Sequence, residues 1–213
     1  VVQHYVHRPL LYRGYKFDLR VYVLLASVER PFLALYSTEG YLRVCSDLYD
    51  GSCYGNRNAH VTNFHVQREH PLYDPATDSI QGQTTRVSYA AFLDYLLEVG
   101  YERAWTEHLL HRQIRRVVGK AVAATVGRMQ ADEHTCVGQF GLLGVDLLLD
   151  TSGHVWLIEF TKSPAFRFQP AFLADLHGTL LREAVDIPIE VEQVRACLPD
   201  VRQDVPLEAL SRL

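Results

Sequence analysis

The stretches Gly144-Val-Asp-Leu-Leu-Leu-Asp150 and Val155-Trp-Leu-Ile-Glu-Phe160 decide how this chain folds. Each is a short apolar run of strand length, and each contains an acid, Asp146 in the first and Glu159 in the second. A buried carboxylate is costly unless a cation or a hydrogen-bond network compensates it. Two such acids on adjacent strands therefore indicate a metal site, and with it nucleotide-dependent chemistry.

Alternation along the second stretch predicts which side chains share the face of Glu159. The expected set is Val155, Leu157, Glu159 and Thr161. We expect Glu159 and Thr161 to converge with Asp146 on magnesium, which prefers oxygen ligands. The alternative is that Asp146 pairs with an arginine such as Arg20 in a buried salt bridge. Asp150 precedes Thr151-Ser-Gly153 and is predicted to be a turn residue.

A third strand is predicted over residues 16–27, which alternate and are rich in β-formers. One face carries Lys16, Asp18, Arg20 and Tyr22, and the other carries Phe17, Leu19, Val21 and Val23. The polar face is interpreted either as part of a site or as the solvated outer face of an antiparallel sheet. Residues 32–37 and 41–45 are predicted to form a hairpin across Glu39-Gly40.

The middle of the chain predicts a long connection followed by helices. Residues 47–83 are rich in turn formers and indicate an irregular connection with a short strand over residues 60–64. Ser88 is the predicted N-cap of a helix that stops at Gly100. A last helix is predicted over residues 170–185. A longer helix over residues 106–128 has the apolar stripe Leu109, Leu110, Ile114, Val117, Val118, Ala121 and Val122.

Composition excludes several classes of protein. The chain has 213 residues, 48% hydrophobic and 22% charged, and a formal net charge of -4, which does not favour nucleic-acid binding. It has no apolar run of membrane-spanning length and no signal-peptide pattern, so neither a membrane nor a nucleic acid is an expected partner. The cysteines lack metal-site spacing and are predicted to be free thiols: Cys45, Cys53, Cys136 and Cys197.

The order of several motifs resembles that of the tubulin tyrosine ligase and ligase-like family over about residues 1–186. The stretches that carry the resemblance are Val2-Gln-His-Tyr-Val6 with Pro9-Leu-Leu11, Lys16-Phe-Asp-Leu-Arg-Val-Tyr-Val-Leu24, residues 36–43, His60-Val-Thr-Asn63, residues 140–150 and Trp156-Leu-Ile-Glu159 with Ser163-Pro164. The resemblance implies an α/β (α+β) ATP-grasp fold, mainly an antiparallel sheet flanked by helices. Because the chain starts without methionine, at about the family's hinge, we expect the N-terminal lobe to be missing.

The resemblance also implies a division of the chain and roles for individual residues. Residues 1–186 would be the central and C-terminal part of the ATP-grasp domain, and residues 187–213 a C-terminal extension. Arg20 and Arg43 would bind the amino acid or the reacting carboxylate. The implied ATP contacts are Gln3, His4, Tyr5 and Val6 at the adenine hinge, Lys16 and Asp18, and the cleft residues His60, Thr62 and Asn63. The implied Mg²⁺ ligands are Asp146, Glu159 and Thr161.

The implied activity is an ATP-dependent ligase that adds a free amino acid to the acidic C-terminal tail of tubulin, in the cytoplasm, on microtubules and in cilia. Residues 172–185 are most similar to the tyrosine ligase, so tyrosine is slightly favoured over glutamate and glycine. A basic stripe, Arg112, Arg115, Arg116 and Lys120, is a candidate contact for the tail or simply a solvated helix face. The alternative is a pseudoligase that binds microtubules, because Thr161 stands where the family usually has asparagine.

Overall fold

The computed structural model describes residues 2–29, 32–77, 79–81, 83–131, 138–167 and 170–197. Its centre is a six-stranded sheet with helices on both faces, and the strand pairs of the described residues are antiparallel. The predicted fold class, a mainly antiparallel sheet flanked by helices, is therefore confirmed. No helix in these ranges is long and apolar enough to cross a membrane.

The central sheet has the strand order β7-β3-β2-β8-β9, and β1 pairs with β2 at its end. The strands are β1 (Leu11–Tyr12), β2 (Tyr15–Ser27), β3 (Leu33–Leu48), β4 (Tyr73–Asp74), β5 (Ser79–Ile80), β6 (Gln83–Thr84), β7 (Arg86–Ser88), β8 (Gly141–Leu149) and β9 (Val155–Thr161). The helices are α1 (Arg57–His60), α2 (Phe64–Gln67), α3 (Tyr89–Glu98), α4 (Leu110–Gln130) and α5 (Ala171–Cys197). Strands β4 to β6 form a small separate sheet.

Strand β2 is buried on both faces, which makes it the centre of the molecule. Phe17, Leu19 and Val21 belong to the main core together with residues of α3 and α4. Asp18 and Arg20 lie on the opposite face and are each only 6% exposed. The predicted alternation is confirmed, but a solvated outer face is the wrong interpretation of it, since other groups cover these two charges.

Strand β3 corrects the predicted hairpin at Glu39-Gly40. It pairs with β2 along a single continuous strand, and the ladder steps from Val21↔Gly40 to Val23↔Tyr36, so the turn-like residues between them form a bulge. At Gly40 a Cβ atom would lie 2.4 Å from the carbonyl oxygen of Arg20. The glycine therefore marks a close approach between two strands rather than a turn.

The predicted strand over residues 60–64 is also wrong. His60 ends α1, and Phe64 begins α2 after a short extended link. The side chain of Asn63 accepts a hydrogen bond from the backbone N–H of His65 and so caps α2. Capping by a short polar side chain overrides the β-propensity of this segment.

The predicted helix signals at residues 88–130 are largely confirmed. Ser88 accepts a hydrogen bond from the backbone N–H of Ala91 at the start of α3, and Gly100 follows the helix with φ +94°. A π-helical turn over Trp105–Leu109 precedes α4. This turn shifts Leu109 out of the apolar stripe, and Leu109 is 43% exposed. The buried stripe of α4 is Leu110, Ile114, Val118 and Val122.

Helix α5 extends beyond its predicted end at residue 185, since it runs to Cys197 with Pro188 buried inside it. The predicted division between residues 186 and 187 stays a prediction, and residues 198–213 of the predicted extension lie outside the described residues. Cys45 is buried, whereas Cys53 and Cys197 are exposed, and all three are free thiols. The fourth cysteine, Cys136, lies outside the described residues.

A bulge in β9 corrects the predicted faces of this strand. Glu159 pairs with Asp146, but the next pair is Leu157 with Leu147, so Ile158 is an extra residue. As a result Val155 and Leu157 pack on the main core, whereas Glu159 stays on the face of Asp146. The expected convergence of Glu159 with Asp146 is found. Strict alternation, however, would place Val155 and Leu157 on the polar face instead of the core face.

Candidate active site

The polar face of the sheet carries two rows of facing residues. In the first row Glu159 pairs with Asp146, Asp146 with Arg20, and Arg20 with Tyr41. In the second row Asp18 pairs with Arg43, and Arg43 with Arg86. Helix α5 packs on this face farther along β2, where it contacts Tyr22, Leu24 and Ala26. The charged rows therefore lie on a part of this face that α5 does not cover.

Two arginines bind Asp146 with both of its carboxylate oxygens engaged. The Arg20 guanidinium donates from Nε to Oδ1 at 2.5 Å and from Nη2 to Oδ2 at 3.1 Å. Arg43 donates from Nη2 to Oδ2 of Asp146 at 2.5 Å and makes two further bonds of 2.6 Å to Asp18. The salt bridge that was the alternative interpretation of Asp146 is therefore present, and it forms part of a larger network.

The network fixes the charge state of Asp146. Burial by itself would raise the pKa of the Asp146 carboxyl, but the hydrogen bonds from Arg20 and the charge of Arg43 outweigh it and hold that pKa below its ordinary value. The side chain of Asp146 is only 2% exposed. It is a buried carboxylate, held ionised by two guanidinium groups.

Glu159 is the exposed acid of this pair and fits a cation site. Burial first, and then the neighbouring charge of Asp146, raise the pKa of Glu159 above its ordinary value. Two carboxylates that face each other in this way are stabilised by a divalent cation, and Thr161 offers a hydroxyl on the same face. In the described part of the chain, no group of three or more acids, histidines or cysteines is placed to hold a metal ion by itself. The residues therefore suit magnesium that shares its coordination with phosphate oxygens and water.

Lys16 lies at the other end of the polar face, in a cluster with Tyr5 and His60. Its ammonium group donates to the carbonyl oxygen of His60 at 2.7 Å and lies 4.9 Å from the centroid of the Tyr5 ring. The Tyr5 hydroxyl lies 2.6 Å from Nδ1 of His60. Burial lowers the pKa of Lys16. The structure thus brings together one predicted hinge residue, Tyr5, and two other predicted ATP contacts, Lys16 and His60.

The segment between α1 and α2 crosses the polar face above β2. The Thr62 hydroxyl donates a hydrogen bond to Oδ2 of Asp18. Asn63 is exposed, and its side-chain oxygen caps α2. Of the three predicted cleft residues, His60 and Thr62 are therefore joined to the charged rows, whereas Asn63 has a local structural contact.

The predicted hinge residues lie at the edge of the sheet near the turn after β8. Gln3 and His4 are exposed, and Tyr5 and Val6 are half-buried. A cleft of about 190 Å³ is lined by residues 4–8, residues 150–152 and Trp156. Asp150 accepts hydrogen bonds from Ser152 and His154, which confirms its turn role.

The sequence also held signals of the site that the prediction missed. At Gly144 a Cβ atom would lie 3.0 Å from Nη1 of Arg20, so this glycine makes room for the guanidinium, as Gly40 makes room for the Arg20 backbone. Arg86 was overlooked because its strand is only three residues long. Arg86 and Ser88, the N-cap of α3, lie two residues apart on one face of this strand, and so short a stretch gives almost no periodic signal.

Comparison with known proteins agrees with this geometry. The profile of the tubulin-tyrosine ligase family matches residues 1–197. Protein polyglycylase TTLL10 of Macaca fascicularis is 28% identical over 193 residues, which cover 91% of this chain and 30% of that protein. Tubulin polyglutamylase TTLL6 of Homo sapiens is 31% identical over 182 residues, which cover 78% of this chain and 19% of that protein. Tubulin glycylase 3E of Tetrahymena thermophila is 27% identical over 184 residues, which cover 83% of this chain and 12% of that protein.

The chain therefore spans less than a third of the length of these relatives. The match of the family profile nevertheless covers all of the residues that the structure describes, including both charged rows of the polar face. The chain belongs to the tubulin-tyrosine ligase family.

Proposed function

We propose that this chain forms the nucleotide- and metal-binding part of a ligase that joins an amino acid to a carboxylate of a tubulin tail. In this reaction the γ-phosphoryl group of ATP passes to the carboxylate with release of ADP. The amine of the amino acid then displaces phosphate and loses a proton as the amide forms. The observation that carries the proposal is the alignment of Lys16, Arg20 and Arg43 with Asp146 and Glu159 on one face of the sheet.

The cationic side chains supply charge neutralisation from fixed positions. Lys16, held by the carbonyl oxygen of His60, and Asp18 are the proposed nucleotide contacts, and the positive charge of Lys16 suits a phosphate group. Arg20 and Arg43 are held by Asp146 and Asp18, so their guanidinium groups need little reorganisation when a carboxylate or phosphoryl group arrives. Preorganised charges of this kind supply a large part of the catalysis of phosphoryl transfer.

Magnesium, when bound, would neutralise the phosphate oxygens of ATP. Asp146, Glu159 and Thr161 are the proposed ligands, with Glu159 the one whose carboxylate is open to solvent. The proposed adenine contacts are the hinge residues Gln3, His4, Tyr5 and Val6, and His60, Thr62 and Asn63 complete the proposed wall of the cleft.

The amino acid, the acceptor and the cellular location belong to the same proposal. The similarity of residues 172–185 to the tyrosine ligase favours tyrosine slightly, whereas the names of the relatives support glycine and glutamate. Tubulin is the proposed acceptor because two of the three relatives are named for acting on it. A tubulin ligase would act in the cytoplasm, on microtubules and in cilia.

The test is a ligation assay with the intact protein, tubulin, ATP and magnesium. Labelled tyrosine, glutamate and glycine are supplied one at a time, and incorporation into tubulin is measured with and without ATP. ATP-dependent incorporation of one amino acid supports the proposal. Absence of incorporation of all three, with a folded protein and an active ligase as positive control, contradicts it.

A pseudoligase that binds microtubules is the second candidate. It is favoured by Thr161, whose hydroxyl is shorter than the usual amide ligand, and by the engagement of both oxygens of Asp146 by arginines. This candidate predicts that the intact protein binds microtubules without binding ATP. Measurement of ATP binding by calorimetry in the presence of magnesium separates the two candidates.

A further inference from the structure

A second group of cations adjoins the candidate active site. Arg86 on β7 lies directly opposite Arg43 on β3, and it is only 4% exposed. Arg167, in the segment between β9 and α5, places its Cζ atom 3.6 Å from the centroid of the Phe64 ring. The Cζ atom of Arg86 lies 5.0 Å from the same centroid. We call Arg43, Arg86 and Arg167 the arginine cluster.

The arginine cluster brings like charges close together. Like charges directly opposite each other on neighbouring strands are destabilising, and Arg43 and Arg86 form such a pair. Burial, then the charge of Arg167 and the charge of Arg43, lower the pKa of Arg86. The Phe64 ring offsets part of this repulsion through cation–π contacts. Asp18 and Asp146 already pair with Arg43, so an anion placed against Arg86 and Arg167 would offset much of the repulsion that remains.

The position of the cluster relates it to the reaction. The guanidinium of Arg43 contacts Asp18 and Asp146, so Arg43 belongs both to the arginine cluster and to the ion-pair network of the candidate active site. Arg167 lies a few residues beyond Glu159 along the chain and is only half-buried, so a ligand can reach it from solvent. An anion bound by the cluster would therefore share Arg43 with Asp146, one of the proposed magnesium ligands.

We propose that the arginine cluster binds the α-carboxylate of the amino acid that the ligase adds. The proposal rests on the proposed function and extends it to Arg86 and Arg167. A guanidinium group matches the planar, two-oxygen geometry of a carboxylate and forms strong paired hydrogen bonds with it. Tyrosine, glutamate and glycine all carry an α-carboxylate, so the cluster could hold any of them. The α-amine would then face the reaction centre.

Steady-state kinetics of the intact protein test the assignment. Arg86→Gln and Arg167→Gln are each expected to raise KM for the amino acid about 10- to 100-fold, since each removes a charge-assisted contact. KM for ATP and KM for tubulin should stay within about twofold of the wild-type values, because these substitutions remove contacts to the amino acid only. Arg103→Gln is the matched control, because Arg103 is exposed and paired with Glu107 on another part of the surface.

Rescue by charge separates recognition from packing. Arg86→Lys keeps the positive charge and should recover part of the amino-acid binding that Arg86→Gln loses. If Arg86 had only a structural role, the two variants would have the same KM for the amino acid. Thermal unfolding of each variant shows whether it is folded, and the half-buried Arg167 provides a second variant if Arg86→Gln does not fold. A rise in KM for tubulin instead would assign the cluster to the acidic tail, a rise in KM for ATP would assign it to phosphate, and either result would overturn the proposal.

Direct binding distinguishes failure of this proposal from failure of the proposed function. Glycine, glutamate and tyrosine are compared by calorimetry with their α-amides, which lack the carboxylate. Wild-type protein should prefer the acids about 10-fold or more, and Arg86→Gln should lose that preference. If the preference is seen without ligation, the cluster stands and the ligase proposal fails. If ligation occurs but neither variant changes amino-acid binding, the ligase stands and the cluster proposal fails.

Discussion

Glu159 and Asp146 face each other across two strands but differ in what surrounds them. Glu159 is open to solvent, whereas Asp146 is enclosed by Arg20 and Arg43. The two carboxylates therefore differ in their partners. Asp146, a proposed magnesium ligand, also holds Arg20 and Arg43 in place, whereas the carboxylate of Glu159 is open to solvent. Substitutions at the two positions should consequently have different effects.

Glu159→Gln should remove activity without unfolding the protein. The amide cannot neutralise a cation as the carboxylate does, so we expect ligation to fall on the order of 100-fold or more. The melting temperature should be unchanged because the side chain is exposed. Incorporation of labelled amino acid and thermal unfolding measure the two effects. Glu98→Gln, at the exposed end of α3, is the control, and equal rates for wild type and Glu159→Gln would contradict the metal assignment.

Asp146→Asn should lower stability as well as activity. Removal of one partner of a buried ion pair leaves the arginines uncompensated, and we expect a loss of about 3 kcal/mol in the free energy of unfolding. Urea unfolding of the intact protein measures this loss. Asp94→Asn, at an exposed position of α3, should change stability little. A stable, fully folded Asp146→Asn variant would show that the network contributes little to the fold.

The effect of Asp146 on stability should depend on pH in the acid range. The folded-state pKa of Asp146 lies below the ordinary value of 3.8, so folding favours the ionised form. Its stabilisation is fully present above pH 3.8 and is lost as the pH falls towards the lower folded-state pKa. The difference in unfolding free energy between wild type and Asp146→Asn should therefore shrink below about pH 3.8.

At the scale of elements, the bulge in β3 depends on Gly40. A Cβ atom there would lie 2.4 Å from the carbonyl oxygen of Arg20, so Gly40→Ala must move one of the two strands. We expect a loss of about 1–3 kcal/mol in stability and reduced ligation, because Arg20 would shift with its backbone. Gly119→Ala is the control, since nothing lies within 4 Å of its Cβ position and alanine favours a helix. Urea unfolding of both variants checks the contrast.

The sequence predicted the alternation of β2, the cap of α3 and the approach of Glu159 to Asp146. It could not predict the bulges, because a bulge depends on how the partner strand packs rather than on local preference. Local preference therefore predicts a hairpin turn where the bulge beside Gly40 lies, and it predicts an ordinary strand residue at Ile158. Arg86 was missed because a three-residue strand gives almost no periodic signal.

At the scale of the whole molecule, the sheet separates two charged surfaces. The candidate active site and α5 lie on one face, whereas α4 packs on the other. The basic stripe is exposed on α4, and its residues are Arg112, Arg115, Arg116 and Lys120. If the stripe meets the tubulin tail, the bound tail must pass around an edge of the sheet to reach the reaction centre.

The separation of these surfaces predicts which kinetic constants the stripe controls. Replacing Arg115 and Arg116 by glutamate should raise KM for microtubules, with an effect that weakens as salt is added, because exposed charges are screened. KM for ATP and for the amino acid should remain unchanged. Steady-state kinetics at two salt concentrations measure this. An unchanged KM for microtubules would identify the stripe as a solvated face without a role in tail binding.

The extra residue at Ile158 has a consequence for comparing relatives of this chain. Ile158 has no partner on β8, so the inward and outward positions of β9 are offset by one residue between the segment before it and the segment after it. Deleting Ile158 would restore a regular ladder and still leave Leu157 on the core side and Glu159 on the side of Asp146. Relatives that differ by a one-residue gap at this point can therefore share the same ligand geometry, and an alignment that forbids the gap would pair a core residue with an acid.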